Sequence, residues 1–288
     1  MNKAADYQRR INAATNQVAQ NLDRNHSIED LAAASNFSKF HFHRIYRALT
    51  GETLNSMVNR LRLEAAAAAL LYKTDLPITR IAVDHGYSSG ANFTKAFTKY
   101  FGCSPSNYRS NSKIGKAAVE KPGEDSAIEL EVTLNQQPEA RLAYYRRKGA
   151  YLHLEISAMH QKVQQWVEQH ECAADTPESL GIAWSDSLIT QEEHWIYDAC
   201  VAVKPATQAE GAISIQTLQA GLVAELEVEL LPEDNHDLSP YWNWLVREWF
   251  MASNYELRSA PSYERYIETD HGLKVRLCLP LEANARRN

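Results

Sequence analysis

Residues 77–109 read PITRIAVDHGYSSGANFTKAFTKYFGCSPSNYR, and this stretch decides the fold. Pro77 suits a first helical turn, Ile78 to Val83 make a short helix, and His85-Gly86-Tyr87 a turn. Ser89 has the side chain of an N-cap and opens a helix through Phe101, which Gly102 closes. Phe93, Ala96, Phe97 and Tyr100 or Phe101 recur at helical spacing and mark a buried face, leaving Thr94, Lys95, Thr98 and Lys99 outward. The same grammar is present upstream in residues 27–51, SIEDLAAASNFSKFHFHRIYRALTG. Ser27 with Asp30 resembles a capping box, Asn36-Phe37 a turn, Ser38 a second cap and Gly51 a stop. Between the two, Leu54 to Tyr72 is rich in Ala, Leu and Arg, has no breaker, and reads as one long helix. Helix, tight turn, helix therefore occurs twice, about 50 residues apart, around a stiff spacer.

On the second helix of the upstream pair, Phe42, Ile45, Tyr46 and Leu49 form one apolar face. The opposite face carries Lys39, Phe40, His43, Arg44 and Arg47. Such a helix fits a major groove: Arg binds guanine edges with two hydrogen bonds, Phe40 rests on a thymine methyl, and Lys39 or Arg47 neutralises phosphate. A merely solvated basic helix is the plainer alternative, and the repeat argues against it. In the downstream pair Gly90 and Ala91 stand where bases would be met and carry no hydrogen-bonding side chain. That unit is expected to anchor phosphates more than to read bases. The spacer would set the two units one DNA turn apart, about 34 Å.

Charge supports nucleic acid at one end only. Residues 1–115 hold 15 Lys and Arg against 8 Asp and Glu, net +7, whereas the remainder holds 15 against 28, net −13. The four cysteines, Cys103, Cys172, Cys200 and Cys278, are widely spaced, which fits a reducing cytoplasm better than a disulfide frame or a zinc ribbon. No apolar run approaches the length of a membrane span, and MNKAADYQRR never reaches the apolar region of a signal peptide. Cytoplasmic localisation without a membrane partner is the expectation. The histidines lack ligand spacing, so no metal and no cofactor is expected.

The stretch SNSKIGKAAVEKPGEDS reads as a linker. The expected layout is a DNA-binding domain over residues 1–110, a linker over 111–126 and a second domain over 127–288. After Ile128 the pattern turns to alternation, with a strand expected over Ile128 to Val132. The second domain reads as a diverged duplication. Strands at Arg141–Tyr145 and Leu222–Leu226 are each followed by a helix, one through Trp166 and one over Ser239–Met251. Each half then returns to strands, Ser179–Trp184 with Trp195–Val203, and Tyr263–Glu268 with Lys274–Pro280. Two sheet-plus-helix halves leave a cleft between them, a usual place for a small ligand. The fold class expected is a two-domain α+β chain, with an all-α double helix-turn-helix domain before an α+β domain.

Residues 7–109 resemble the AraC/XylS DNA-binding domain, on the two stretches quoted and on the closing run of Gly, Tyr, Phe and Ser-Pro that ends in Tyr108-Arg109. The resemblance implies base-facing positions at Phe40, His43 and Arg44, and at Gly90, Ala91, Thr94 and Lys95. It implies double-stranded promoter DNA as partner and a transcription regulator, an activator, as the function. The second domain is similar to the GyrI-like effector-binding domain, on RRKGAY, Gly181 to Asp186, Tyr197 to Val201, PYWNWLVREWF, PSYERYIE and LKVRLCLPL. This implies a site for bulky, cationic or amphipathic molecules between aromatic walls, with Glu264 as its acid. The wall residues would be Tyr151, Trp184, Tyr197, Trp242, Trp249 and Tyr266.

Alternatives stay open at this stage. Glu264 alternates with Tyr263 and Arg265, a pattern that also fits a surface acid paired with an arginine. Trp242, Leu245, Val246 and Trp249 stand at core spacing regardless of any ligand, and Trp244 points to the other side of that helix. The chain carries no nucleophile motif and no Gly-rich phosphate loop, so catalysis is not expected. The rival readings of the second domain are a small-molecule hydrolase using Glu264 beside Tyr197 or Tyr266, and an interaction module contacting RNA polymerase.

Overall fold

The computed structural model describes residues 3–19, 22, 27–73, 75–111, 130–151, 155–186, 189–230, 237–258, 260–269 and 272–283, in two compact units, Met1–Ala117 and Ala118–Asn288. The linker expected over 111–126 lies, but for Asn111, outside the described residues.

The first unit is helical: α1 (Lys3–Ala19), α2 (Ile28–Ala34), α3 (Lys39–Thr50), α4 (Leu54–Tyr72), α5 (Ile78–Asp84), α6 (Gly90–Phe101) and α7 (Pro105–Asn111). The caps act as the residue types dictate. Ser27, Ser38 and Ser89 each accept from the backbone N–H three residues on, at 3.0, 3.4 and 3.2 Å. Gly51 and Gly102 end α3 and α6 at φ of 79° and 74°, a conformation that costs a residue with a Cβ. Asn36 and Gly86 hold the corresponding left-handed positions of the two turns, at φ of 55° and 82°. Phe42 and Tyr46 are buried as their spacing predicts, but Leu49 is exposed. It sits in the last turn of α3, two residues before the chain turns at Gly51, beyond the reach of the core.

Helix α4 serves both halves of this unit. Leu54 and Met57 join the core of α1 to α3, and Ala66, Ala67 and Leu70 are fully buried. Arg60, 7% exposed, pairs with Glu52 at 2.7 Å and with Glu64 at 3.3 Å, and the Tyr100 hydroxyl of α6 donates to Glu64 at 2.8 Å. Arg62 donates to the Leu22 carbonyl at 3.1 Å, and a Cβ on Gly86 would lie 2.9 Å from its Cζ. Two arginines of the spacer thus clamp the first turn-helix pair to the second.

Among its described residues the second unit is a nine-stranded antiparallel sheet with two longer helical segments and a short 3-10 turn at Glu192–His194. Its strands are β1 (Val132–Gln137), β2 (Ala140–Lys148), β3 (Ser179–Ala183), β4 (Ile196–Ala202), β5 (Ser214–Leu218), β6 (Gly221–Leu230), β7 (Tyr255–Leu257), β8 (Tyr263–Thr269) and β9 (Gly272–Ala283). Helix α8 (Ile156–Gln169) follows β2, and α9 (Ser239–Trp244) follows β6, continuing as a π-helix over Leu245–Phe250. The strand expected over Ile128–Val132 begins only at Val132, and residues 128–129 lie outside the described ones.

The sheet order is β1-β6-β9-β8-β3-β4-β2-β5, with β7 on β9. Read from either end it is the same arrangement, so the halves β1β2α8β3β4 and β5β6α9β8β9 are related by a local two-fold. The first strand of each half lies on the other half, β1 on β6 and β5 on β2. Six strand spacings, about 29 Å if flat, separate β1 from β2, yet only Pro138 and Glu139 connect them, a reach of about 11 Å. The sheet must therefore curl. At its centre β3 pairs β8 with Gly181 directly opposite Glu264, which places that pair on the local axis.

The helices cover one face. Beneath α8 lie Ala143, Tyr197, Ala199 and Val201, and beneath α9 lie Ala224, Leu226, Val275 and Leu277. Leu142, Tyr144, Leu180, Ile182, Cys200, Tyr263 and Cys278 form the core on the other face. In the π-helix the buried positions are Leu245 and Phe250, five apart, as the wider turn requires. The 3.6-residue spacing that singled out Trp249 is therefore displaced. Trp249 and Trp244 are both half-buried against the same core, so Trp244 does not stand on an opposite side.

Candidate nucleic-acid interface and ligand site

Helix α3 presents Lys39, Phe40, His43, Arg44 and Arg47 to solvent. Phe40 is 80% exposed, a costly position for a phenyl ring that meets nothing. Lys39 pairs with Glu29 of α2, which lowers the carboxyl of Glu29, so a phosphate would have to compete for that ammonium. On α6, Thr94, Lys95, Thr98 and Lys99 are exposed, as are Ala91 and Asn92, while Gly90 is half-buried. Asn92 escaped the sequence reading because Phe93 beside it dominates the periodicity. It is the amide-bearing side chain in the first turn of α6 and bonds Ser88 at 3.3 Å.

In the second unit, Glu264 of β8 accepts from the Trp242 indole at 2.9 Å and from the Tyr266 hydroxyl. Burial raises its carboxyl above the usual range, and the two donors oppose that rise. The neighbouring Arg265 pairs with Glu178 at 3.1 Å and leaves Glu264 to its aromatic donors. The Tyr266 hydroxyl stands 3.0 Å from that of Tyr197. The Tyr151 ring lies 6.1 Å from Tyr197 and 4.8 Å from Trp195, and its hydroxyl donates to the Ser185 carbonyl at 3.0 Å. Burial raises all three phenols, so each is a hydrogen-bonding group rather than a phenolate near neutrality. Glu264, Tyr266, Trp242 and Tyr151 each keep part of their surface open, whereas Tyr197 is buried.

Glu264, Tyr266, Tyr197, Trp242 and Tyr151 are thus brought together from β8, β4, α9 and the segment before α8. Trp184 and Trp249 are not. Side chains alternate along a strand, and Trp184 falls on the opposite face, where its indole donates to Asp198 at 2.7 Å. Asp198, with no exposed surface, also takes two bonds from Arg146, both 2.6 Å, and the guanidinium lies 5.1 Å over the Trp184 ring. Trp249 packs in the π-helix core. Residue-level reading gave His160 a surface or core role only and assigned no site role to Ser179 or Gly181. A histidine between Met159 and Val163 on the buried face of α8 was the available signal.

Residues 7–111 match a helix-turn-helix domain family, and residues 130–282 match the GyrI-like small molecule binding domain, more than half of the chain. Over 106 residues the chain is 37% identical to the probable transcription factor PqrA of Proteus vulgaris, covering 36% of this chain and 86% of that protein. It is 33% identical over 121 residues to the transcriptional regulator Rob of Salmonella typhimurium, covering 41% of this chain and 42% of Rob. It is 38% identical over 107 residues to the HTH-type transcriptional regulator YbfP of Bacillus subtilis, covering 37% of this chain and 36% of that protein. The matched stretch therefore spans well under two thirds of Rob and YbfP. Among solved structures, the EcmrR C-terminal domain covers 54% of this chain and 99% of its own length at 17% identity and a TM-score of 0.46. With a GyrI-like match over more than half its length and a PqrA match over most of that relative, the chain belongs to the AraC-type helix-turn-helix proteins that carry a GyrI-like small molecule binding domain.

Proposed function

We propose that the chain is a sequence-specific DNA-binding transcription regulator, an activator, tuned by a small effector bound in its second domain. The observation that carries the reading is the outward face of α3, where an 80% exposed Phe40 stands among His43, Arg44 and Arg47. Arg44 would read a guanine, Phe40 a thymine methyl, and Arg47 and Lys39 would meet phosphates. On α6, Thr94, Lys95 and Lys99 would anchor backbone. In the second domain Glu264 would pair with a cationic or amphipathic effector between Tyr151, Trp242 and Tyr266, with Tyr197 behind them. The rings add cation–π attraction to the charge pairing. Trp184 and Trp249 would act on that site only through packing. Promoter DNA, the effector and RNA polymerase are the partners this reading requires, with the cytoplasm as its compartment and the domain limits 1–110 and 127–288 as its layout.

The test is selection of double-stranded oligonucleotides from a random pool by the full chain at two salt concentrations. Enrichment of one bipartite or half-site motif with affinity falling steeply in salt is expected. Absence of any enriched motif would overturn the regulator. Titrating tryptophan fluorescence with a lipophilic quaternary ammonium and its neutral carbon isostere tests the effector site. Saturable quenching by the cation alone is expected. Hydrolysis of an ester-bearing analogue of the cation would instead favour the hydrolase, and no response to any of the three would favour the interaction module.

A further inference from the structure

Behind Glu264 the structure holds a continuous row of hydrogen-bonding groups. Ser179 Oγ lies 2.9 Å from His160 Nδ1, and His160 Nε2 lies 3.3 Å from the Tyr197 hydroxyl. That hydroxyl is 3.0 Å from the one on Tyr266, which donates to Glu264 Oε2. A phenol has one hydrogen to give, and a neutral imidazole has one N–H. With a carboxylate as the final acceptor, every link must then point the same way. Ser179 donates to Nδ1, Nε2–H to Tyr197, Tyr197 to Tyr266, and Tyr266 to Glu264. With a carboxylic acid at the end, every link points back, and His160 carries its hydrogen on Nδ1 instead.

We propose that Ser179, His160, Tyr197, Tyr266 and Glu264 form a reversible hydrogen-bond wire that ties the tautomer of His160 to the charge on Glu264, and that Gly181 is the positioning residue that makes room for it. A Cβ at Gly181 would overlap the Tyr197 hydroxyl and lie 2.9 Å from that of Tyr266. Gly181 faces Glu264 on the local two-fold, so the position related to the acid carries no side chain, and two phenols fill the space. The reversal takes up one proton from water. Tyr266 passes its proton to Glu264, Tyr197 to Tyr266, Nε2 to Tyr197 and Ser179 to Nδ1, and Ser179 recovers one from solvent. The groups facing Glu264 are Tyr266 from its own strand, Tyr197 from β4, Trp242 from α9 and Tyr151 from before α8, with Gly181 opposite on β3. His160, on α8, packs its ring 5.1 Å from that of Tyr266. Burial holds the imidazolium of His160 down to about 4, so above that pH its nitrogens exchange a tautomer rather than gain charge.

The wire deepens the reading of the Glu264 site, but its test uses no ligand, so failure to bind any cation leaves the measurement intact. The full chain is labelled with ¹⁵N-histidine and ¹³C-carboxyl glutamate and titrated by NMR across the whole transition of the Glu264 carboxyl. His160 is expected to hold its proton on Nε2 at high pH and on Nδ1 at low pH, crossing at the midpoint of the Glu264 carboxyl. One tautomer throughout, or two unrelated midpoints, would overturn the wire. In Tyr266→Phe the Glu264 carboxyl should still titrate while His160 ceases to follow, and continued coupling would equally count against the proposal. Gly181→Ala should uncouple the two in the same way, and coupling preserved there would remove Gly181 from it.

Discussion

Arg44 and Glu264 show how differently single residues are read. Arg44 stands exposed on α3, and periodicity alone placed it opposite Phe42 and Tyr46. Arg44→Ala should cost about 1–3 kcal/mol of specific binding with little loss on random DNA. Competition titrations on selected and scrambled sites measure this, and equal losses on both would make Arg44 a phosphate contact. Glu264 was reached through resemblance, because alternation assigns a residue to a face without saying which rings from distant strands arrive there. Its carboxyl is raised by burial, so folding favours the protonated form. That contribution is complete below the unfolded carboxyl value and is lost as pH rises through the folded one. Unfolding free energy should therefore fall with rising pH across that window, and Glu264→Gln should flatten the slope. Denaturant titrations from about pH 4 to about pH 8 follow it.

Among the elements, helices α2 to α6 were legible almost to their ends, because caps and stops are local chemistry, whereas α1 and α7 were not singled out. Ser38→Ala should cost about 1 kcal/mol of stability by leaving the His41 N–H without its acceptor. Helix α4 was visible as a breaker-free run, but its buried Arg60, Glu52, Glu64 and Tyr100 network was not, since Tyr100 arrives from α6. Arg60→Ala takes the guanidinium away from buried Glu64, which keeps its Tyr100 bond, and from half-buried Glu52, and should cost about 3 kcal/mol, whereas Arg60→Met with Glu64→Leu should recover much of it. Thermal unfolding of the two variants decides this, and equal losses would assign the effect to lost packing. The segment after Trp244 shows the limit of periodicity. A helical period of 3.6 selects Trp249, but the π-helix moves the buried position to Phe250.

For the whole molecule, the proposed reading gives one chain two contacts on DNA, base reading by α3 and backbone anchoring by α6. Lys95→Ala with Lys99→Ala should weaken binding to selected and scrambled sites alike and reduce its salt dependence, as anisotropy at two salt concentrations would register. A loss confined to the selected site would mean that α6 reads bases. Helix α4 touches both pairs, through Arg62 on the Leu22 carbonyl and through Glu64 on the Tyr100 hydroxyl of α6.

By itself the sequence determined the capped double helix-turn-helix, the outward face of α3 and the duplication of the second unit, but not α1, α7, β5 or β7. Each follows from interactions a few residues long, which periodicity, caps and turns record directly. Only the tertiary structure decided that β1 and β5 exchange places, that the sheet curls, and that Gly181 meets Glu264 on the local axis. It alone sent Trp184 to the Asp198 side of the sheet and brought Trp242, Tyr266 and Tyr197 to the carboxylate and its hydrogen-bonded row. The physical reason is pairing register. A strand declares which residues share a face, but its partner strands, supplied by distant segments, decide what that face meets.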